Sequence, residues 1–143
     1  MKRYAMQHLI EWKEDPGHLP MIIRGARQVG KTWLMKEFGR TEFEKYAYIN
    51  FDRNSRMKQL FSGDFDVDRI LRGLSIESEV EIAPEDTLII LDEIQEVPAA
   101  LQSLKYFCED DRQRYNIVAA GSLLGISMHE GTSFPVGKVD SMD

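Results

Sequence analysis

One eight-residue segment, residues 25–32 with the sequence GARQVGKT, constrains this chain more than any other feature. It has the form G-x-x-x-x-G-K-[ST], in which glycines let the backbone curl so that successive N–H groups point at phosphate oxygens. A short apolar run precedes it and a helix-period pattern follows it, so a helix would present its positive end to the same anion. The pattern predicts a phosphate-binding loop. The plainer alternative is a glycine turn that joins a strand to a helix.

Two side chains at the end of this segment have predicted roles toward a nucleotide. Lys31 can reach the β- and γ-phosphates, and the Thr32 hydroxyl can ligate Mg²⁺. The aromatic character of Trp33 also suggests a core position, like that of Phe38. The chain has no N-K-x-D motif for reading guanine, which favours ATP as the nucleotide. The residues that we expect to contact it are Gly25, Ala26, Arg27, Gln28, Val29, Gly30, Lys31, Thr32 and Trp33.

A second group of residues carries two adjacent carboxylates. The apolar run LIIL at 88–91 is followed directly by Asp92 and Glu93. Acids at the carboxyl end of a buried strand lie where open α/β sheets hold ligands. Asp92 is predicted to bind Mg²⁺ directly or through a water, and Glu93 to orient and deprotonate the attacking water, which indicates hydrolysis. Alternatively, the two acids simply begin the next turn.

A third candidate is Ser122, which follows the predicted strand 115–120. A hydroxyl at the end of a strand beside the phosphate-loop strand could contact the γ-phosphate or the attacking water. The plainer interpretation is a small residue in a tight Gly-Ser turn. The predicted catalytic residues are therefore Glu93, Lys31 and Ser122, and the predicted metal ligands are Thr32 and Asp92.

Short apolar runs alternate with helix-period segments, which is typical of an α/β fold. Strands are predicted at 21–24, 46–51, 87–91 and 115–120. Helices are predicted at 4–13, at 31–38 with a stop at Gly39, in one or two pieces within 54–78, and from Pro98 onward. We expect a three-layer domain over residues 1–126 with a mostly parallel central sheet of four strands. Residues 127–143 show no period and are predicted to be a loop or disordered tail.

Composition excludes several classes of protein. The formal charge of −6 argues against a surface built to hold nucleic acid or anionic lipid, although a local basic patch stays open. No apolar run reaches the length of a membrane span, so no membrane partner is expected. The single cysteine, Cys108, fits a reducing interior and predicts a cytoplasmic location. The three histidines, His8, His18 and His129, lack partners at ligand spacing, and no zinc site is expected.

Several weaker signals have plain alternatives. Arg27 could contact phosphate, and Arg112 or Arg114 could serve a neighbouring subunit as an arginine finger, but solvated charges explain all three. Gln95 could position water or simply be a polar helix-entry residue. Asp52 could lie near the site because it ends a strand. The stripe Leu101, Leu104 and Phe107 is predicted to be core. The patch Arg53, Arg56 and Lys58 could touch nucleic acid, although a solvated helix face is the plainer interpretation.

Together the motifs resemble the N-terminal part of a bacterial and archaeal group of P-loop ATPases in the AAA+ superfamily. The matching segments are residues 24–32, 88–95, 121–122 and 135–139, in the same order as in that group. The resemblance implies a RecA/AAA+-like sheet in which the Ser122 strand lies between the phosphate-loop strand and the Asp92 strand, with the 46–51 strand beyond. In the group, a fifth strand pairs with the free side of the phosphate-loop strand, and a longer C-terminal region follows. We expect this chain to lack that last strand.

Two functions from different classes follow. The first is Mg²⁺-dependent binding and hydrolysis of ATP to ADP. The second is a nucleotide-binding switch or interaction module with little or no turnover, acting through a protein partner or a second copy of the chain. A small-molecule kinase is disfavoured because no arginine-rich lid segment follows Asp92 and Glu93.

Overall fold

The computed structural model describes residues 2–25, 29–109, 115–122 and 140–142. Strands and helices alternate along these ranges, as the hydrophobic pattern predicts. Within them, no helix has the length and hydropathy needed to cross a membrane. The elements are α1 (Lys2–Glu14), β1 (Met21–Gly25), α2 (Val29–Glu42), β2 (Lys45–Asn50), α3 (Ser55–Leu60), α4 (Val67–Ser78), β3 (Thr87–Asp92), a 3-10 helix (Ile94–Glu96), α5 (Pro98–Glu109), β4 (Asn116–Ser122) and β5 (Asp140–Met142).

The strands form one parallel sheet in the order β2-β3-β4-β1-β5. The predicted placement of the Ser122 strand between the phosphate-loop strand and the Asp92 strand is confirmed. Because the strands are parallel, their carboxyl ends share one edge of the sheet. Gly25 pairs with Ser122 there, and Asp92 pairs with Ala120 on one side and Asn50 on the other.

The prediction that the last strand is missing is wrong. β5 pairs in parallel with the free side of β1, with Met21 opposite Asp140 and Ile23 opposite Met142. It also lies inside the segment 127–143 that was expected to be loop or tail; residues 127–139 fall outside the described part. Three residues reading DSM give no strand signal, because parallel pairing uses backbone groups and needs no apolar run.

Alternation along the strands separates two buried layers. Strand residues such as Ile23, Leu88 and Ile90 pack with α1 and α2 on one face, and their neighbours, such as Ile22 and Ile89, pack with α3, α4 and α5 on the other. All six residues of β3 are buried, as its continuous apolar run predicts. The expected three-layer α/β architecture is confirmed, with five strands in place of four.

Two elements extend beyond their predicted ends. Helix α2 continues past Gly39 to Glu42, so this glycine does not stop the helix. A Cβ on Gly39 would lie 2.7 Å from the Tyr46 Cβ, which shows that the glycine permits close packing of α2 on β2. Strand β4 likewise continues through Gly121 to Ser122, so these two residues form no turn.

The region 54–78 contains two helices, which confirms the second of the two predicted possibilities, one helix or two. Asn54 caps α3 by accepting a hydrogen bond from the Met57 amide at 3.1 Å. Asp66 caps α4 in the same way, accepting from the Asp68 amide at 3.0 Å. These caps fix the ends of both helices on the face of the sheet opposite α1 and α2.

Candidate nucleotide-binding site

The predicted site residues converge at the carboxyl edge of the sheet. Helix α2 begins at Val29, so Lys31 and Thr32 lie in its first turn. Asp92 is the last residue of β3, and Ser122 is the last residue of β4. The backbone pairing of Ser122 with Gly25 places the end of β4 beside the start of the phosphate-loop segment. Residues from three separate motifs therefore meet at one end of the fold.

A short hydrogen bond joins two of these motifs. The Thr32 Oγ1 hydroxyl donates to Oδ2 of Asp92 at 2.6 Å, and Asp92 is 6% exposed. The alternation of side chains along β3 explains this contact. Leu88 and Ile90 face α2, and Asp92 therefore faces it too. A hydroxyl and a carboxylate held together at a helix N-terminus are oxygen groups of the type that Mg²⁺ prefers.

Lys31 lies against the end of β4. Its Nζ donates to the carbonyl oxygen of Gly121 at 3.3 Å. This contact keeps the ammonium group at the carboxyl edge, close to the first turn of α2. A lysine so placed can serve as a point charge for phosphate oxygens.

The first turn of α2 offers groups that attract anions. A Cβ built on Gly30 would meet no heavy atom of the described residues within 4 Å, apart from its chain neighbours and its own helix backbone. The first-turn amides of α2 have no partners within the helix itself, and the positive end of the helix dipole attracts anions. The helix amides, Lys31 and the Thr32–Asp92 pair are groups of the kind that bind phosphate and Mg²⁺ in proteins.

Glu93 occupies an uncommon backbone conformation directly after Asp92. Its φ of 57° and ψ of 45° lie in the left-handed region, which is rarely populated by non-glycine residues. Its amide donates to Oδ1 of Asp92 at 3.0 Å, so the turn also fixes the carboxylate. Strained backbone of this kind clusters at functional sites. Glu93 is partly exposed, as a group that meets substrate must be.

Tyr48 belongs to this group of contacts, although no sequence motif points to it. Its hydroxyl donates to the same Asp92 Oδ2 at 2.7 Å, and the Lys36 Nζ lies 4.1 Å from the centroid of its ring. Burial, followed by the hydrogen bond and charge of Asp92, raises the pKa of Tyr48 well above its usual value, while the Thr32 and Asn50 side chains act in the opposite direction. Strand alternation places Tyr48 on the α2 face, but the register that brings it to Asp92 is not readable from sequence.

Trp33 does not lie in the core, although its aromatic character suggests a core position. Its side chain is 48% exposed, so the core interpretation of this residue is wrong. Helix α2 buries Leu34, Met35 and Phe38 against the sheet, and Trp33 lies off that stripe. The predicted core residues Leu101, Leu104 and Phe107 are buried, as expected.

Gln95 is a buried residue near the start of α5. It lies in the 3-10 helix after Glu93 and is 5% exposed, and its Oε1 is buried without a hydrogen-bond partner among the described residues. Its Nε2 is 3.5 Å from Glu96 Oε2. Its position just before α5 agrees with the helix-entry interpretation, and the predicted water-positioning role stays a prediction.

The weaker polar candidates are placed mostly on the surface. Asp52 is exposed, and its amide donates to Oδ1 of Asn50 at 2.8 Å. Arg56 forms an ion pair with Glu77 at 2.8 Å, whereas Arg53 and Lys58 are exposed. The solvated interpretation of the basic patch fits these positions.

Some predicted residues fall outside the described part of the chain. The described residues contain no group of three or more His, Cys, Asp or Glu side chains that could hold a metal ion. A nucleotide-bound Mg²⁺ does not need such a group, because phosphate oxygens and waters supply most of its ligands. The predicted residues that lie outside the described part of the chain are Ala26, Arg27, Gln28, Arg112, Arg114, His129 and the segment 135–139.

Comparisons with known proteins agree with this geometry. RuvB from Thermotoga maritima has a similar structure, with a TM-score of 0.54 at 15% identity over 99% of this chain and 44% of that one. ORC1 from Aeropyrum pernix, solved in complex with DNA, has a TM-score of 0.51 at 14% identity over 89% of this chain and 39% of that one. At these identities the likeness shows the fold, and the chain spans less than half the length of either protein.

Sequence comparison identifies the family. No curated protein matches the chain. A family model described as "AAA domain" matches residues 18–143, which is most of the sequence and includes every motif named above. The chain therefore belongs to the AAA domain family, and its fold is that of a P-loop ATPase-type nucleotide-binding domain.

Proposed function

We propose that this chain binds ATP with Mg²⁺ at the N-terminus of α2 and hydrolyses it to ADP and phosphate. The observation that carries the proposal is the 2.6 Å hydrogen bond between Thr32 and Asp92, which brings the phosphate-loop motif and the acidic strand end together. Family membership supports the nucleotide class. The missing N-K-x-D motif supports ATP over GTP.

Each residue has a separate task in this proposal. The α2 amides from Val29 onward and Lys31 hold the phosphates, and Thr32 and Asp92 hold Mg²⁺. When bound, Mg²⁺ supplies charge neutralisation at the β- and γ-phosphates. Glu93 accepts a proton from water as the water oxygen bonds to the γ-phosphorus. The bond from that phosphorus to the β,γ-bridging oxygen breaks, and ADP leaves with the bond electrons. Ser122 contacts the γ-phosphate, and the exposed Trp33 contacts the nucleotide.

A nucleotide-dependent switch with little turnover, which acts through a protein partner or a second copy, is the competing outcome. It shares the binding site and differs only in the step assigned to Glu93. A role on DNA, as in the ORC1 complex, is not part of the proposal, because the charge of −6 gives no general attraction to phosphate backbones. We propose a cytoplasmic location, because a single cysteine suits a reducing compartment.

Turnover and binding separate the two functions. ADP formation should be measured at saturating ATP and Mg²⁺ for the wild type and for Glu93→Gln, with binding of both followed by calorimetry. We expect Glu93→Gln to bind ATP like the wild type and to lose at least about 100-fold in turnover, since general bases contribute about 10²–10⁴. Equal turnover in the two proteins would refute the base assignment. Binding without ADP formation by the wild type would favour the switch.

A further inference from the structure

Asp92 is held by three hydrogen-bond donors from three parts of the chain. The Glu93 amide binds its Oδ1 at 3.0 Å, and the hydroxyls of Thr32 and Tyr48 bind its Oδ2 at 2.6 and 2.7 Å. The carboxylate is almost fully buried, so these donors replace the water that it would otherwise bind. Both of its oxygens are therefore fixed in direction.

Tyr48 is itself held in place by α2. The Lys36 ammonium lies 4.1 Å from the centroid of the Tyr48 ring, within the range of a cation–π contact. Lys36 is four residues after Thr32, one helical turn along the same helix. Helix α2 thus contacts Asp92 directly through Thr32 and indirectly through Lys36 and Tyr48.

Strand pairing explains why Tyr48 reaches Asp92. Tyr48 is opposite Ile90 in the β2–β3 register, so Asp92 is its diagonal neighbour on the same face of the sheet. A tyrosine is long enough to span such a diagonal. Phenylalanine at this position would fill the same space and leave Oδ2 with Thr32 as its one remaining hydroxyl donor among the described contacts.

We propose that Tyr48 is a positioning residue for the magnesium site, and that its hydroxyl orients Asp92 before the metal binds. The role rests on the proposed function, because it concerns the metal that accompanies ATP. A carboxylate fixed in one rotamer loses less conformational freedom when it ligates a metal or a metal-bound water. Outer partners of this kind are worth about 10- to 100-fold in metal affinity.

The test compares Tyr48→Phe with Tyr46→Phe. Tyr46 is a matched control because it is also a half-buried tyrosine on the α2 face of β2, and it lies next to Gly39. ATP affinity is measured by calorimetry across a Mg²⁺ series and in excess EDTA. For Tyr48→Phe we expect the half-saturating Mg²⁺ concentration to rise about 10-fold or more, with ATP affinity in EDTA unchanged. Tyr46→Phe should match the wild type in both measurements.

Two further measurements separate positioning from a structural effect. Mn²⁺ binds oxygen and nitrogen sites no more weakly than Mg²⁺ and accepts the same ligands, so it should restore part of the lost metal response in Tyr48→Phe. Lys36→Met, which removes the cation over the ring, should shift the Mg²⁺ response in the same direction by a smaller factor. If Tyr48→Phe loses as much ATP affinity in excess EDTA as it loses in Mg²⁺, the substitution has damaged the site in general, and the positioning role is overturned.

The outcomes for the two proposals are distinct. If the wild type binds ATP with a clear Mg²⁺ response and Tyr48→Phe gives the same response, the Tyr48 role is wrong and the proposed function stands. A tighter Mg²⁺ response in Tyr48→Phe would also refute it, by showing that the hydroxyl competes with the metal. If the folded wild type binds no ATP, the proposed function fails and the Tyr48 role fails with it.

Discussion

Thr32 and Asp92 are 60 residues apart in sequence, and the hydroxyl of the first lies 2.6 Å from a carboxylate oxygen of the second. One stands in the first turn of α2 and the other at the end of a fully buried strand. This contact joins the two sequence motifs on which the proposed function depends, and it crosses between two layers of the fold. It therefore has consequences for both binding and stability.

Removal of the Thr32 hydroxyl should weaken both properties. Thr32→Val keeps the shape of the side chain but leaves Asp92 Oδ2 with Tyr48 as its described hydroxyl donor. We expect a loss of about 1–3 kcal/mol in the free energy of unfolding, measured by urea titration, because the lost bond is to a charged group. We also expect the Mg²⁺ dependence of ATP binding to disappear. Thr32→Ser should retain most of both, and a Thr32→Val protein with normal Mg²⁺ dependence would contradict the ligand assignment.

Fluorescence can test the predicted contact of Trp33 with nucleotide. The chain has two tryptophans, of which Trp33 is 48% exposed and Trp12 is 6% exposed. Acrylamide quenching therefore reports mainly on Trp33, and Trp33→Phe supplies the baseline from Trp12. We expect saturating Mg²⁺–ATP to lower quenching in the wild type and to leave the baseline protein unchanged. Unaltered quenching in a wild type shown to bind ATP would remove Trp33 from the site.

Gly39 should tolerate no side chain. An alanine Cβ would stand 2.7 Å from the Cβ of Tyr46, and this atom cannot move without its backbone. Gly39→Ala should therefore lower the free energy of unfolding by roughly 1–2 kcal/mol, despite the better helix propensity of alanine. Gly63→Ala is the control, since its Cβ would lie 3.5 Å from a flexible Arg69 terminus. Equal stability of the two variants would contradict the close packing of α2 on β2.

Glu77 should contribute to acid sensitivity. The Arg56 guanidinium is the main cause of the lowered pKa of Glu77, and the Asn54 amide adds to it, against the opposing effect of burial. A carboxyl with a lower pKa in the folded state stabilises the fold above its ordinary pKa of 4.5, and this contribution is lost as pH falls through the folded value. In unfolding titrations at about pH 3–6, the free energy of unfolding of Glu77→Gln should therefore fall less with decreasing pH than that of the wild type. Parallel pH profiles would show that the pair contributes nothing.

Much of the fold follows from local patterns. The continuous apolar run of β3 predicts a strand buried on both faces, and the phosphate-loop motif predicts the strand and helix that flank it. The order of four strands came from the family resemblance, because pairing between distant strands leaves no local trace. β5 was not predicted from its own residues, because DSM has no apolar run and parallel pairing is made by backbone groups.

The motif residues of the candidate site can be named from sequence, but the packing around them cannot. Thr32 ends a loop motif whose internal spacing phosphate binding requires, and Asp92 follows a buried apolar run. Tyr48 lies in an aromatic strand and looks like any half-buried tyrosine until the register with β3 sets it diagonal to Asp92. Gly39 and Trp33 were misjudged because a glycine can allow close packing within a helix, and an aromatic side chain can lie off the buried stripe.

The most direct measurement is calorimetric titration of ATP, with and without Mg²⁺, into the wild-type chain, Lys31→Ala and Lys58→Ala. Lys58 is an exposed lysine on α3, across the sheet from the site, and controls for the loss of one positive charge. We predict Mg²⁺-dependent binding by the wild type and Lys58→Ala, and a loss of at least about 100-fold in affinity in Lys31→Ala, as expected for removal of a charged phosphate contact. A folded wild type that binds no ATP, or a Lys31→Ala variant that binds like the wild type, would contradict the account.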